Sequence, residues 1–220
     1  MAAPDSPRAP RSTRKRAPGR PSGRPRGADS AARREDILTV AAELFSVDGY
    51  RGTSMSRVAQ AAGISHTGLV HHFPTKDELL GAVMDRRDEL DTARVFPRGG
   101  ERPHGWEYLR LMVQLVRNNE ERPGMVRLFT TVSGEAVDPE HPANAWLRRH
   151  HEATVVRLRQ AFEEADAAGE LAPGAPVDSM CRLVVAAMDG LQIQWLTGTA
   201  TGMAEDLECL VEMFEARWRR

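Results

Sequence analysis

Lysine is nearly absent from this 220-residue chain. Lys15 and Lys76 are the only two among its 30 basic residues, the rest being arginine. With so much Ala, Gly and Pro beside it, that bias reads as high-GC coding, so abundant arginine is not in itself a binding signal. Cysteine is scarce too. Cys181 and Cys209 are too few for a disulfide scaffold or a four-ligand zinc site, and two small buried thiols are the expectation. No apolar run approaches the ~18 residues of a membrane span, and no signal-peptide core follows the N-terminus, so no membrane partner and a cytoplasmic location are expected. Strand-like alternation of useful length is missing, which leaves helices. Enzyme signatures are missing as well. Ser133-Gly134-Glu135 lacks the nucleophile-elbow pattern, and no strand precedes a glycine cluster that could cradle phosphate or a dinucleotide. The adjacent His150-His151 would point about 100° apart on a helix, unlike a chelating i, i+4 pair. No catalytic group, metal or cofactor is expected.

What is present is unevenly charged. Net charge is −1, yet residues 1–30 carry eight basic groups against Asp5 and Asp29, so that end is +6 and the remainder −7. Such asymmetry points to an anionic partner for one end. Residues 1–29 are rich in Pro, Arg and Gly without aromatics, and read as a disordered basic arm. Gly19-Arg20-Pro21 and Gly23-Arg24-Pro25-Arg26-Gly27 resemble the Gly-Arg-Pro core of AT-hook peptides. An extended Arg-Pro segment fits a narrow minor groove, making Arg20, Arg24 and Arg26 candidate DNA contacts. The other reading is a solvated low-complexity tail. Either way it attracts polyanions.

The most informative stretch is Thr53–Lys76, TSMSRVAQAAGISHTGLVHHFPTK. Ser54 can N-cap a helix in which Met55, Val58, Ala59 and Ala62 share one face. Gly63 stands where that helix must end, Ile64 plugs the turn, and Ser65 can cap a second helix running to about Phe73. Two short helices around a tight turn are the pattern of a helix-turn-helix, whose second helix enters the major groove. A helical hairpin in an ordinary core would carry more large apolar groups. Here His66, Thr67, Gly68, His71 and His72 leave only Leu69, Val70 and Phe73 for packing. Before the motif, Ile37, Val40, Ala41, Leu44, Phe45 and Val47 form a stripe from about Ser30 to the stop at Asp48-Gly49. After it, Thr75-Lys76-Asp77-Glu78 opens a helix with a capping box, placing Lys76 at an anion-attracting N-terminus.

Gly49-Tyr50, Thr53-Ser54, Val58-Ala59, Ala62-Gly63-Ile64-Ser65, Gly68-Leu69, His72-Phe73-Pro74-Thr75-Lys76 and Glu78-Leu79-Leu80 together resemble the TetR family of transcriptional regulators, over about residues 33–84. The resemblance implies an all-α homodimer, with an N-terminal three-helix helix-turn-helix domain and a C-terminal helical domain for ligand binding and dimerisation. It implies DNA contacts from Ser54, Ser65, the second motif helix and Lys76, the last to phosphate. One departure matters: Val70 stands where the family usually has a DNA-touching Tyr.

The DNA-binding domain is expected over residues 30–85 and the second domain over 86–220, with the boundary inside a helix. Helices are predicted at about 105–119, 123–135, 143–168, 177–196 and 203–217, separated by Pro and Gly breaks. Trp106, Phe129, Trp146 and Met188 supply apolar walls for a ligand cavity, with Ser133, His150 and Gln192 as polar anchors; a mostly apolar effector suits that set. Leu207, Leu210, Val211 and Phe214 form an apolar stripe that in a monomer could simply face the core; with Ala187 and Gly190 allowing close approach, they are assigned to the dimer interface through the family resemblance. The reading is a dimeric regulator, a repressor released from a palindromic double-stranded operator by a small molecule. The alternative is an architectural, nucleoid-type protein acting through its basic arm.

Overall fold

The computed structural model describes residues 26–95 and 103–220. Among them lie nine helices: α1 Arg26–Gly52, α2 Met55–Ala61, α3 His66–His72, α4 Lys76–Val95, α5 Trp106–Glu120, α6 Pro123–Glu135, α7 Asn144–Ala167, α8 Val177–Leu196 and α9 Met203–Trp218. No strand occurs among the described residues, only a single bridge between Leu171 and Arg219 that fastens the α7–α8 loop to the C-terminal end. The five helices after the break fall within a residue or two of the limits predicted from sequence. None is long and apolar enough to cross a membrane.

α1 departs from its expected span at both ends. It begins at Arg26 rather than near Ser30, and it runs past Asp48-Gly49 to Gly52. The glycine marks a kink, not a stop: Gly49 takes φ 69°, a left-handed conformation that costs glycine nothing. Thr53 Oγ1 donates to the Gly49 carbonyl at 2.9 Å and holds the kinked turn closed. Val47, expected in the buried stripe, is 70% exposed, and Leu38, not counted in that stripe, is buried. Arg20 and Arg24 lie outside the described residues.

Two apolar cores result. The first gathers Ile37 and Phe45 of α1, Val58 of α2, Leu69 of α3, and Leu80 and Met84 of α4, and then continues into Leu128 and Val132 of α6. Thus α6 packs along α1 and shares the core of the motif helices. The second core joins α5, α7, α8 and α9 through Leu109, Leu158, Phe162, Met180, Val184 and Leu207. Burying each such side chain is worth about 1.5–3 kcal/mol. Leu207 and Val211, assigned from sequence to a contact with a second copy, are buried in this internal core. The α9 stripe alternates inward and outward more tightly than a simple apolar count reveals. Large apolar groups left outside include Leu183 and Ile193 of α8 and Met213 of α9, each more than half exposed, and Val156 of α7, slightly less so.

Candidate nucleic-acid interface and effector cavity

The motif helices are held almost entirely by local hydrogen bonds. Ser54 Oγ accepts from the Arg57 N–H at 3.2 Å and caps α2. Gly63, at φ 64°, turns the chain, and Ile64 N–H closes it by donating to the Ala59 carbonyl at 3.0 Å. Ser65 Oγ accepts from the Gly68 N–H at 3.0 Å and caps α3. A Cβ at Gly68 would sit 3.2 Å from that same oxygen, so glycine there leaves the cap room. Both serines are therefore engaged as caps. α3 buries only Leu69, with Phe73 buried just beyond it, while His66, Thr67, Val70 and His71 are exposed together on the opposite side. His72 is half-buried. Its carbonyl accepts from Arg34 of α1, whose guanidinium lies 4.1 Å from the Phe73 ring centroid.

Lys76, expected to face phosphate, is turned inward. Its Nζ donates to the Thr53 carbonyl at 2.7 Å and sits 4.1 Å from the Tyr50 ring centroid. Tyr50 is the hub of a junction between the motif and α6. Its N–H donates to Glu135 Oε2 at 2.7 Å, its hydroxyl donates to Asp77, and its ring meets His141 edge-on at 5.0 Å. Burial, then the Asp77 contact, pushes the Tyr50 hydroxyl above its usual range. A Cβ at Gly49 would lie 2.5 Å from Glu135 Oε1, so glycine leaves room for the carboxylate that accepts from the Tyr50 N–H. His141 is buried, and that burial outweighs the nearby Glu135 and holds its imidazole below the usual range.

Between α4, α5, α6, α7 and α8 lies a cavity of ≈ 270 Å³. Of the residues predicted to line it, Phe129, Trp146, His150, Met188 and Gln192 do. Trp106 does not: it packs edge-on against Phe162 at 5.5 Å, and its Nε1 donates to the Glu170 carbonyl at 3.4 Å. Ser133 lies outside the lining as well. The expectation of a mostly apolar wall is corrected by an ion network centred on Asp85-Arg86-Arg87-Asp88-Glu89, a charged run that by its sequence alone reads as solvated. Arg87 pairs with Asp88 at 3.1 Å and Asp91 at 3.3 Å, and Arg122 reaches Asp91 at 3.4 Å. The Arg87 guanidinium also lies 4.3 Å from the Phe129 ring centroid. His150 Nδ1 is 3.0 Å from Asp88 Oδ2 and its ring stacks on Trp146 at 5.0 Å. Burial pushes the Asp88 carboxyl up, but the His150 hydrogen bond and the charges of His150 and Arg87 outweigh it and hold the group below its usual range. His151 Nε2 stands 3.0 Å from Asp189 Oδ2, in a geometry that gives an ionic contact and no hydrogen bond. A sequence signal for the network existed. Leu80, Met84, Arg87 and Asp91 follow one helical stripe, so the buried face of α4 continues into the charged residues.

Comparison with known proteins agrees with this layout. Residues 37–83 match the bacterial regulatory proteins of the tetR family. The HTH-type transcriptional regulator UidR of Escherichia coli K12 is 28% identical over 153 residues, 69% of this chain and 76% of that protein. A TetR transcriptional regulator from Chloroflexus aurantiacus superposes with a TM-score of 0.75 at 24% identity, covering 87% of this chain and 98% of that one. The SmeT–triclosan complex gives a TM-score of 0.73 at 17% identity, covering 86% and 92%.

Proposed function

Since the chain belongs to the TetR family of transcriptional regulators, we propose that it represses transcription as a dimer and leaves its operator when a small molecule fills the cavity. The observation that carries this reading is α3, a helix capped at its start and almost bare of packing groups, presenting His66, Thr67, Val70 and His71 to solvent. A helix so exposed gains little from its own fold and is explained by what it touches. Residues 30–85 form the DNA-binding unit and residues 86–220 the effector and dimer unit. Two recognition helices related by a two-fold read half-sites about one DNA turn, ~34–36 Å, apart or a multiple of it. The second copy packs on the face of α8 and α9 that carries Leu183, Ile193 and Met213, with Gly190, open above its Cα, allowing close approach.

SmeT, whose fold is similar, is in complex with triclosan, and a small-molecule ligand is proposed for the cavity here. Arg87, Asp88 and Asp91 line it from α4, the helix whose first turn carries Lys76 beside Tyr50. A ligand that shifts α4 therefore acts on the motif through one rigid element. Footprinting on DNA selected from the source genome tests the reading. A short protected palindrome, released by a cavity ligand, is the expected result. Broad coating of A·T-rich DNA would overturn it in favour of an architectural protein.

A further inference from the structure

Two side-chain amides line the cavity without a side-chain hydrogen bond to any described residue, and the Oε1 of Gln192 is buried. Gln192 of α8 is 8% exposed and Asn119 of α5 is 7% exposed. A buried amide oxygen left unpaired, as in Gln192, is costly, and Asn119 offers a second unengaged amide on the same wall, so both suit a group that is not part of the protein. Most charged groups of the wall stand in contrast. Arg87, Asp88, Asp91 and His150 pair with one another or with Arg122, and His151 Nε2 lies 3.0 Å from Asp189 Oδ2 without a hydrogen bond. A ligand bearing a charge would enter without a counter-ion of its own, or would have to break one of these pairs. Asp85, Arg149 and Arg157, which also border the cavity, are exposed to solvent at its rim. The remaining wall is apolar and aromatic, with Trp146 and Phe129 meeting edge-on at 6.2 Å and Met112 and Met188 beside them. At ≈ 270 Å³ the space takes one ring system with a short polar substituent.

We propose that the effector is an uncharged aromatic molecule whose hydrogen-bonding group both donates and accepts, as a carboxamide does, and that Gln192 and Asn119 select it. This rests on the cavity being the effector site. An amide meets an amide with a donor and an acceptor at once, whereas a carboxylate or an ammonium offers only one of the two. The ring lies against the Trp146–Phe129 surface. Selectivity then comes from unsatisfied polar groups, which reject the analogue that cannot pair them.

The test uses the full chain and four matched probes: benzamide, benzoate, benzylamine and ethylbenzene. Calorimetric titration should show benzamide binding about tenfold or more tightly than each of the other three. In Gln192→Met and in Asn119→Leu, each checked for native helicity and melting, the advantage of benzamide over ethylbenzene should shrink; in the double variant it should vanish. Tightest binding of benzoate or benzylamine, an undiminished benzamide preference in the double variant, or no binding by any probe would overturn the proposal. Fluorescence anisotropy of bound genomic DNA is read on the same samples. If benzamide binds with the expected selectivity while the DNA stays bound, the ligand chemistry stands and the effector role of the cavity falls.

Discussion

The recognition motif and the cavity are held together by opposite means. In α2 and α3 the hydrogen bonds that cap the helices and close the turn span three to five residues: serine to a backbone N–H, Ile64 to Ala59, Phe73 to Leu69. Around the cavity the contacts reach across the chain, from Asp88 to His150, from Asp91 to Arg122, from His151 to Asp189. The caps and turn of the motif join neutral groups, with Arg57 of α2 paired to Asp48 at 2.8 Å beside them, whereas the cavity wall is ionic throughout its centre. A motif built on local hydrogen bonds keeps its shape wherever its domain moves. A wall built on long-range ion pairs depends on the relative position of α4, α7 and α8, and a ligand can shift that position.

The sharpest way to break this contrast is to remove the centre of the ion network. Arg87→Ala leaves Asp91 and Asp88 short of a partner in a buried setting, and should cost about 3–5 kcal/mol in chemical denaturation. Leu69→Ala comes next, taking the one buried side chain of α3, and should cost about 2–5 kcal/mol. The DNA-binding unit should loosen first there, which hydrogen exchange at α2 and α3 amides would reveal. An Arg87 variant whose protection is lost only at the motif would contradict the division.

Smaller changes separate a cap from a contact. Ser65→Ala should lose about 0.5–2 kcal/mol of stability as its cap disappears. Ser65→Asp keeps an acceptor for the Gly68 N–H, so stability should stay near that of the native chain. Its charge faces the phosphates, however, so DNA affinity should fall and the fall should deepen at low salt. If Ser65→Asp binds DNA as well as native protein, the N-terminus of α3 does not approach the backbone. The least effect is expected from acid. His141 is held below its usual value by burial, against Glu135, Asp138 and Asp77, which favour its charge, and with Arg51, which opposes it. The unfolded chain then takes up the proton first, so stability falls as pH drops through about 6.5 and keeps falling until the folded group also titrates. Melting temperature measured between pH 7.5 and 5.5 should drop more for the native protein than for His141→Gln.

The same contrast explains how much could be read from sequence. Caps, the Gly63 turn and the limits of α6 and α8 are written in neighbouring residues, and inspection of Ser54, Ser65, Gly63, Pro123 and the Pro176 break finds them. The partner of Tyr50 is Glu135, 85 positions away, and no local pattern announces it. For that reason Asp48-Gly49 looked like the end of a helix when it is a kink fitted to α6. The charge run after Asp85 looked solvated because alternating charges usually are, yet Arg87 and Asp91 continue an apolar stripe and face inward. Leu207 and Val211 were misplaced for a related reason. An apolar stripe shows that something covers it, and the covering helix here belongs to the same chain.

Lys76 is the only lysine among the described residues, and its amine is occupied by the Thr53 carbonyl and the Tyr50 ring. That arrangement makes the molecule a natural single-site reporter. An amine-acylating reagent reacts with a free ammonium group's conjugate base, so acylation at Lys76 should be slow while the Tyr50 junction is closed. It should accelerate when a ligand or a Glu135→Gln substitution loosens α6 from the motif, and peptide mass distinguishes the product from that of Lys15. The scarcity of lysine, an accident of codon usage, thereby offers a direct chemical clock for the opening of the junction between the two working parts of the protein.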